Sequence, residues 1–180
     1  PPFHLESTLK LAWSVYSENA LCLILSFLIF AIISGVSLGI AYPVMWLGFS
    51  SMTLKAVRGE PIEVLDVFSG MSFFLPATVM GFLTLAGIFL GTALLIIPGL
   101  YLMVLWNWVF LCMADGTLRL GDCISASTQI SKSDFGAAAV LVFLCLVLYS
   151  VSSAVPVTSV VVYPLIGCMS AVCYERWRKQ

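Results

Sequence analysis

Charge is scarce in this chain, and its scarcity excludes more than any motif does. Only 9% of the 180 residues are charged and 61% are hydrophobic, whereas soluble domains carry about a quarter charged residues. No charge falls in residues 19–54, 67–114 or 135–174, stretches of 36, 48 and 40 residues. None of the three has a polar face recurring at the helical or strand period, which excludes a soluble core. Basic tracts are lacking too: with a net charge of −1 nothing in the chain would neutralise a run of phosphates, and nucleic acid is excluded as a partner. The single histidine, His4, has no neighbour that would make it a base or a ligand and reads as a surface residue. The six cysteines, Cys22, Cys112, Cys123, Cys145, Cys168 and Cys173, contain no Cys-x-x-Cys pair. Most lie in apolar stretches, where a thiol behaves as a small hydrophobe. Only Cys123 falls in a polar segment, where acylation is conceivable.

Ionisable groups are missing from the apolar stretches except at their edges, as at Lys55. Proton relays, ion-coupled pumps and voltage sensors need such groups within the membrane. Neither a His-Glu-x-x-His site nor a pair of intramembrane aspartates can be assembled. No catalytic residue, cofactor site or metal site is therefore assigned. The first twenty residues carry Glu6, Lys10 and Glu18 and do not have the form of a signal peptide.

What is present is hydrophobic length. A spanning helix needs about 20 apolar residues, so each stretch holds two passes. The expected fold is all-α and integral to the membrane, with six hydrophobic helices arranged as three hairpins in one domain, 1–180. An even number of passes puts both termini on one side, together with the charged connections 55–66 and 115–134. All eight Lys and Arg residues fall on that side, which the positive-inside rule makes cytoplasmic. The far turns are expected around Pro43, Pro98-Gly99 and Pro156, with Pro164 as a further kink. If turns sit at the prolines, Val44–Val57 and Leu100–Met113 are arms of only about 21 Å, against about 30 Å of hydrocarbon. Earlier turns, at Gly35, Ser37 or Gly39, at Gly91, and at Ser152 or Ser153, would lengthen them. Backbone groups freed by a proline kink would then need partners inside the protein.

Each hairpin follows a more polar segment, giving repeat-like units at about 1–58, 59–115 and 116–180. The pattern suggests a threefold internal repeat, although ordinary polar connections would look similar. In the first segment Leu5, Leu9, Ala12, Trp13 and Tyr16 share a helical face opposite Glu6, Lys10, Ser14 and Ser17, the form of an interfacial helix. Pro61 is expected at the first position of the second amphipathic helix, with Glu60 and Glu63 at the positive end of its dipole. Asp122 and Lys132 bracket the third. Small residues one turn apart, Gly35 and Gly39, Gly87 and Gly91, Ser150 and Ala154, are candidate helix-packing positions. Asn107, between Trp106 and Trp108, is the most polar side chain of the second hairpin. It needs a hydrogen-bond partner, in another helix or in a ligand. Trp46 and Trp177 read as interfacial anchors, and residues 176–179 would hold the last helix at an anionic leaflet.

From Leu94-Leu95-Ile96-Ile97-Pro98-Gly99-Leu100-Tyr101 through Asp115-Gly116 to Asp134-Phe135, the chain resembles a broad bacterial and archaeal membrane family. That family comprises six-helix proteins and the membrane portion attached to some glycerophosphodiester phosphodiesterases. Arg58-Gly59-Glu60 and Tyr163-Pro164 add to the similarity. The resemblance implies a fold and a bacterial inner-membrane location, and these 180 residues contain no phosphodiesterase domain. The expected function is that of a non-enzymatic scaffold, accessory subunit or lipid-organising protein, with membrane lipids and a membrane-protein partner or further copies of itself as partners. The alternative is a channel or transporter for a small or lipidic substrate, with Asn107, Ser50, Ser51, Thr53, Thr84 and Thr92 as its polar groups. An intramembrane enzyme, with Glu60, Glu63, Asp66, Asp115 or Asp122 converging on a head group, is the third and weakest reading.

Overall fold

The computed structural model describes residues 5–94, 96–117, 119–153 and 156–179, and these are almost entirely helical. In chain order they form α1 (Leu5–Val36), α2 (Tyr42–Arg58), a 3-10 helix (Val64–Phe73), α3 (Phe74–Leu94), α4 (Ile96–Trp106), α5 (Val109–Ala114), α6 (Leu120–Ser133), α7 (Phe135–Ser153) and α8 (Pro156–Arg178). Five stretches are long and apolar enough to cross a membrane: Glu6–Val36, Val64–Leu94, Ile96–Ala114, Phe135–Ser152 and Thr158–Arg178. The chain is a polytopic helical membrane protein.

The remaining apolar helix, α2, has only 17 residues, about 25 Å of helix, yet it is the most enclosed. Val44, Met45, Leu47, Phe49, Met52 and Leu54 are all buried, against α1, α8, α5 and the 3-10 helix. A helix surrounded by protein rather than lipid can carry Ser50 and Thr53 on its buried surface, provided they bond; the Thr53 hydroxyl donates to Ser50 O at 2.9 Å. Aromatic rings join α1 to this core. Phe27 stacks on Phe30 at 5.3 Å and on Tyr163 of α8 at 5.2 Å. In contrast, α3 buries little besides Ala77, Met80 and Gly91, and packs chiefly on α4.

The first two polar leaders differ from expectation. The segment around Tyr16 is no separate helix, because α1 runs unbroken for 32 residues. Nothing between Glu6 and Val36 breaks it: there is no proline, and Asn19 donates to Val15 O at 3.0 Å within its own turn. In the second leader Pro61 lies outside any helix. Gly59, at φ 75°, ends α2 in the left-handed conformation that glycine tolerates best. The chain then runs without helix to Glu63, whose N–H donates to Asp66 Oδ2 at 3.1 Å, and enters the 3-10 helix. That helix lies on α2 with almost no side chain between them. A Cβ on Gly48 would sit 1.8 Å from Val67 O, and one on Gly70 would sit 2.1 Å from Val44 O. The seam is tied to α1 and α2 by Ser26 Oγ donating to Val64 O at 3.2 Å and by Lys55 pairing with Asp66 at 3.2 Å.

The prolines occupy helix starts more than turns. The first reversal spans Ser37–Ala41, with Leu38 and Gly39 at φ 52° and 84°, and Pro43 lies in the opening turn of α2. Pro98 and Gly99 lie inside α4, and Pro156 opens α8. Pro164 is inside α8. Ala154 lies outside the described residues.

Candidate functional site

Helix α4 ends at Trp106 and α5 begins at Val109, so the chain breaks at Asn107-Trp108 within an otherwise apolar stretch. Such a break frees backbone groups that lipid cannot satisfy. Here α6 satisfies them. Running antiparallel to α5 and α4, it donates from Ser127 Oγ to Leu105 O and from Ser131 Oγ to Val104 O, both at 2.7 Å, and Ser127 Oγ accepts from Trp108 N–H at 3.2 Å. Cys123, Ser127, Ile130 and Ser131 form its buried face, while Asp122, Ser125, Gln129 and Lys132 face outward. The third amphipathic segment is thus a helix whose buried stripe is partly polar because it serves a broken neighbour. Trp108 is wholly buried and donates from Nε1 to Ser170 O of α8 at 3.2 Å.

Asn107 sits at the break and its amide Nδ2 is buried, with no hydrogen-bond partner in the protein. The expected interhelical bond is absent on this donor side. Two recesses meet at this residue. One, of about 40 Å³, lies between α2, α5, α7 and α8 and is lined by Trp46, Ser50, Thr53, Asn107, Tyr149 and Ser170, among others. The other, of about 190 Å³, lies between α3, α4 and α7, with Thr84, Ile88, Met103, Trp106 and Cys145 in its wall. Asn107 and Tyr149 line both. Of the polar groups marked in the sequence, Ser50, Thr53, Thr84 and Asn107 are therefore gathered. Ser51 lines a separate hollow beside Ser69 and Gly70. Thr92 bonds Ile88 O at 2.7 Å and lies against Gly99.

Among the small-residue positions, a Cβ on Gly87 would strike the Trp106 ring at 2.3 Å, and one on Gly91 would sit 3.2 Å from the Gly99 backbone, so both seat α3 on α4. A Cβ on Gly35 or Gly39 would meet nothing within 4 Å. Ser150 donates to Leu146 O at 2.8 Å within α7. A further groove, apolar and of about 360 Å³, runs between the start of α2 and α3, lined by Tyr42, Pro43, Gly81, Phe82, Leu85 and Phe110 among others.

A charged node, which the sequence reading did not find, lies where α2, α5 and α8 end. Arg58 donates from Nε to Glu175 Oε1 and from Nη2 to Asp115 Oδ1, each at 2.5 Å. Tyr174 OH donates to Asp115 Oδ2 at 3.0 Å, and Arg178 lies 3.4 Å from Asp115 and 3.6 Å from Glu175. Of the other acidic groups considered, Asp66 pairs with Lys55, and Asp122 lies on the exposed face of α6. Among the described residues no three His, Cys, Asp or Glu side chains are placed to hold a metal ion.

Cys123 is not an accessible thiol. It is fully buried and donates to Thr117 O at 2.8 Å. Burial, reinforced by the charge of Asp122, pushes its pKa up to about 11 from the ordinary 9.0, leaving about one-hundredth of the usual thiolate at neutral pH. Maleimide labelling of Cys123 in the folded protein should therefore be at least about 100-fold slower than that of an exposed thiol, and should rise as pH approaches 11. Ordinary labelling at pH 7.5, followed by peptide mapping, would contradict this burial.

These features define a helical membrane protein with a polar break in its interior. No protein-family model, curated protein or solved structure matches the chain.

Proposed function

We propose that this chain is a non-enzymatic, lipid-organising protein of the bacterial inner membrane, with both termini cytoplasmic. The reading makes α2 a short sixth pass, so that α1–α2, α3–α4 and α7–α8 form three hairpins. Arg58 and Asp115, 57 residues apart, are each followed by a glycine at positive φ, Gly59 at 75° and Gly116 at 101°. That correspondence supports repeated units.

The observation that carries the reading is the exposure of the second hairpin. Phe82, Leu85, Phe89, Leu90, Leu94 and Ile97 are all exposed, so α3 and the start of α4 are left for lipid or another membrane protein to cover. The groove of about 360 Å³ beside Pro43 and Gly81 adds a concave apolar surface. Extraction in native-lipid discs, with mass spectrometry of what copurifies, tests the proposal. A defined set of lipids or one membrane-protein partner should be retained, and stripping it should lower thermal stability. A monomer that is indifferent to lipid and carries no partner would sink the proposal.

A second reading, transport of a small or lipidic substrate, is favoured by the recesses that meet at Asn107. It would require saturable flux in liposomes.

A further inference from the structure

We infer that the Asn107 break is a binding site for a neutral, lipid-soluble molecule bearing a carbonyl oxygen, seated in the recess between α3, α4 and α7. The inference rests on the lipid-binding reading and narrows it to one site and one chemistry. Four observations carry it.

The first is the orphaned donor. Asn107 Nδ2 is buried without a partner in the protein, although the surrounding backbone is satisfied by Ser127 and Ser131. A buried unsatisfied donor costs about 1–3 kcal/mol, and lipid offers no partner. The second is placement. The larger recess is walled in part by Asn107 and holds about 190 Å³, the size of a ring or a glyceryl ester rather than of a single water, which needs about 10–15 Å³. The third is its lining: Ile88, Met103, Trp106 and Leu146 are apolar, whereas Thr84, Asn107 and Tyr149 are polar. Among the described residues no acidic or basic side chain lines either recess, so a charged ligand would lack a counter-ion and a neutral one fits. The fourth is construction. The amide is presented by a helix break that α6 props open with two serine hydroxyls, an arrangement that positions a side chain on rigid supports.

Ester carbonyls of a diacylglycerol and ring carbonyls of a quinone share the required acceptor. Asparagine occurs only at positions 19 and 107, and the Asn19 amide is already bonded to Val15 O. Selective 15N-asparagine labelling therefore gives a reporter and an internal control. The full chain in phosphatidylcholine nanodiscs is titrated separately with dioctanoylglycerol and with a decyl-substituted benzoquinone. The Asn107 side-chain amide should shift saturably with one of the two while Asn19 stays fixed, and the responding probe identifies the source. Asn107→Leu should weaken retention of that probe about 10-fold, and Tyr149→Phe by a smaller factor. If both asparagines drift together without saturation, or if neither probe moves Asn107, the site is filled by water and the inference falls. In the second case, lipid retained in native discs would still uphold the broader reading, whereas a lipid-indifferent protein would remove both.

Discussion

Gly48→Ala should be among the most damaging single-methyl additions in this protein, costing about 3 kcal/mol or more, at the upper end of the range for overpacking. The added carbon would sit 1.8 Å from Val67 O and 2.7 Å from Val67 C. These are backbone atoms of the 3-10 helix, which no rotamer change can move aside. On the opposite side Gly70 has the same relation to Val44 O and to the Gly48 nitrogen, at 2.1 and 2.8 Å, so Gly70→Ala should cost a similar amount. Because both changes force apart one seam, the double variant should cost clearly less than the sum of the two. Relief would have to come by lifting the 3-10 helix from α2, which would also stretch the Ser26–Val64 and Lys55–Asp66 contacts. Gly35→Ala and Gly121→Ala are the controls, since an added Cβ at either position would meet nothing within 4 Å. Helix propensity should make those two neutral or slightly stabilising. Thermal unfolding in detergent, read by circular dichroism and by monodispersity, separates the two pairs. If Gly48→Ala behaved like Gly35→Ala, α2 and the 3-10 helix would not be in backbone contact.

The contrast between these glycines indicates how far the sequence could be read. Membrane spans are legible because lipid selects for unbroken apolar stretches, and edges of those stretches lie close to the ends of α2, α5 and α8 and to the start of α7. Backbone contact between elements is not written in a local spacing. Gly35 and Gly39 have the spacing of a packing motif but a Cβ there would meet nothing, whereas Gly48 and Gly70 lack it and carry the tightest backbone approach. The 3-10 helix was hidden for a related reason: its sequence is apolar enough for an α-helix, and its geometry follows from lying flush on α2. Asn107 was legible as an anomaly, because an amide within an apolar stretch must be accounted for. That α6 would bond the backbone beside it, leaving the amide free, was not, since serines on an amphipathic helix read equally well as solvated residues.

Replacing Arg58 by methionine should cost about 2–4 kcal/mol, a loss of the same order as the glycine effect but of electrostatic origin. The Arg58 guanidinium is the shared partner of two carboxylates that come from elements 57 and 117 residues away. The Asp115 and Glu175 side chains are only 14% and 8% exposed, so without Arg58 two like charges remain in a poorly hydrated site. Breaking a fully buried pair costs about 3–5 kcal/mol. This node lies at an edge of the bundle, and Arg178 stands within 3.4 and 3.6 Å of the two acids, so part of the loss should be recovered. At about 2–4 °C per kcal/mol for a chain of this size, the melting temperature should fall by roughly 5–15 °C. Arg58→Lys keeps the charge but lacks the planar fork that reaches both acids, and should fall between wild type and methionine. The diagnostic variant combines Arg58→Met with Asp115→Asn and Glu175→Gln. It removes the stranded charges while leaving an acceptor for Tyr174, and should regain more than half of the lost stability. A triple variant no more stable than Arg58→Met would mean that Arg58 acts through packing of its stem rather than through its charge. An unaltered Arg58→Met protein would mean that the ends of α2, α5 and α8 are not held together at this node.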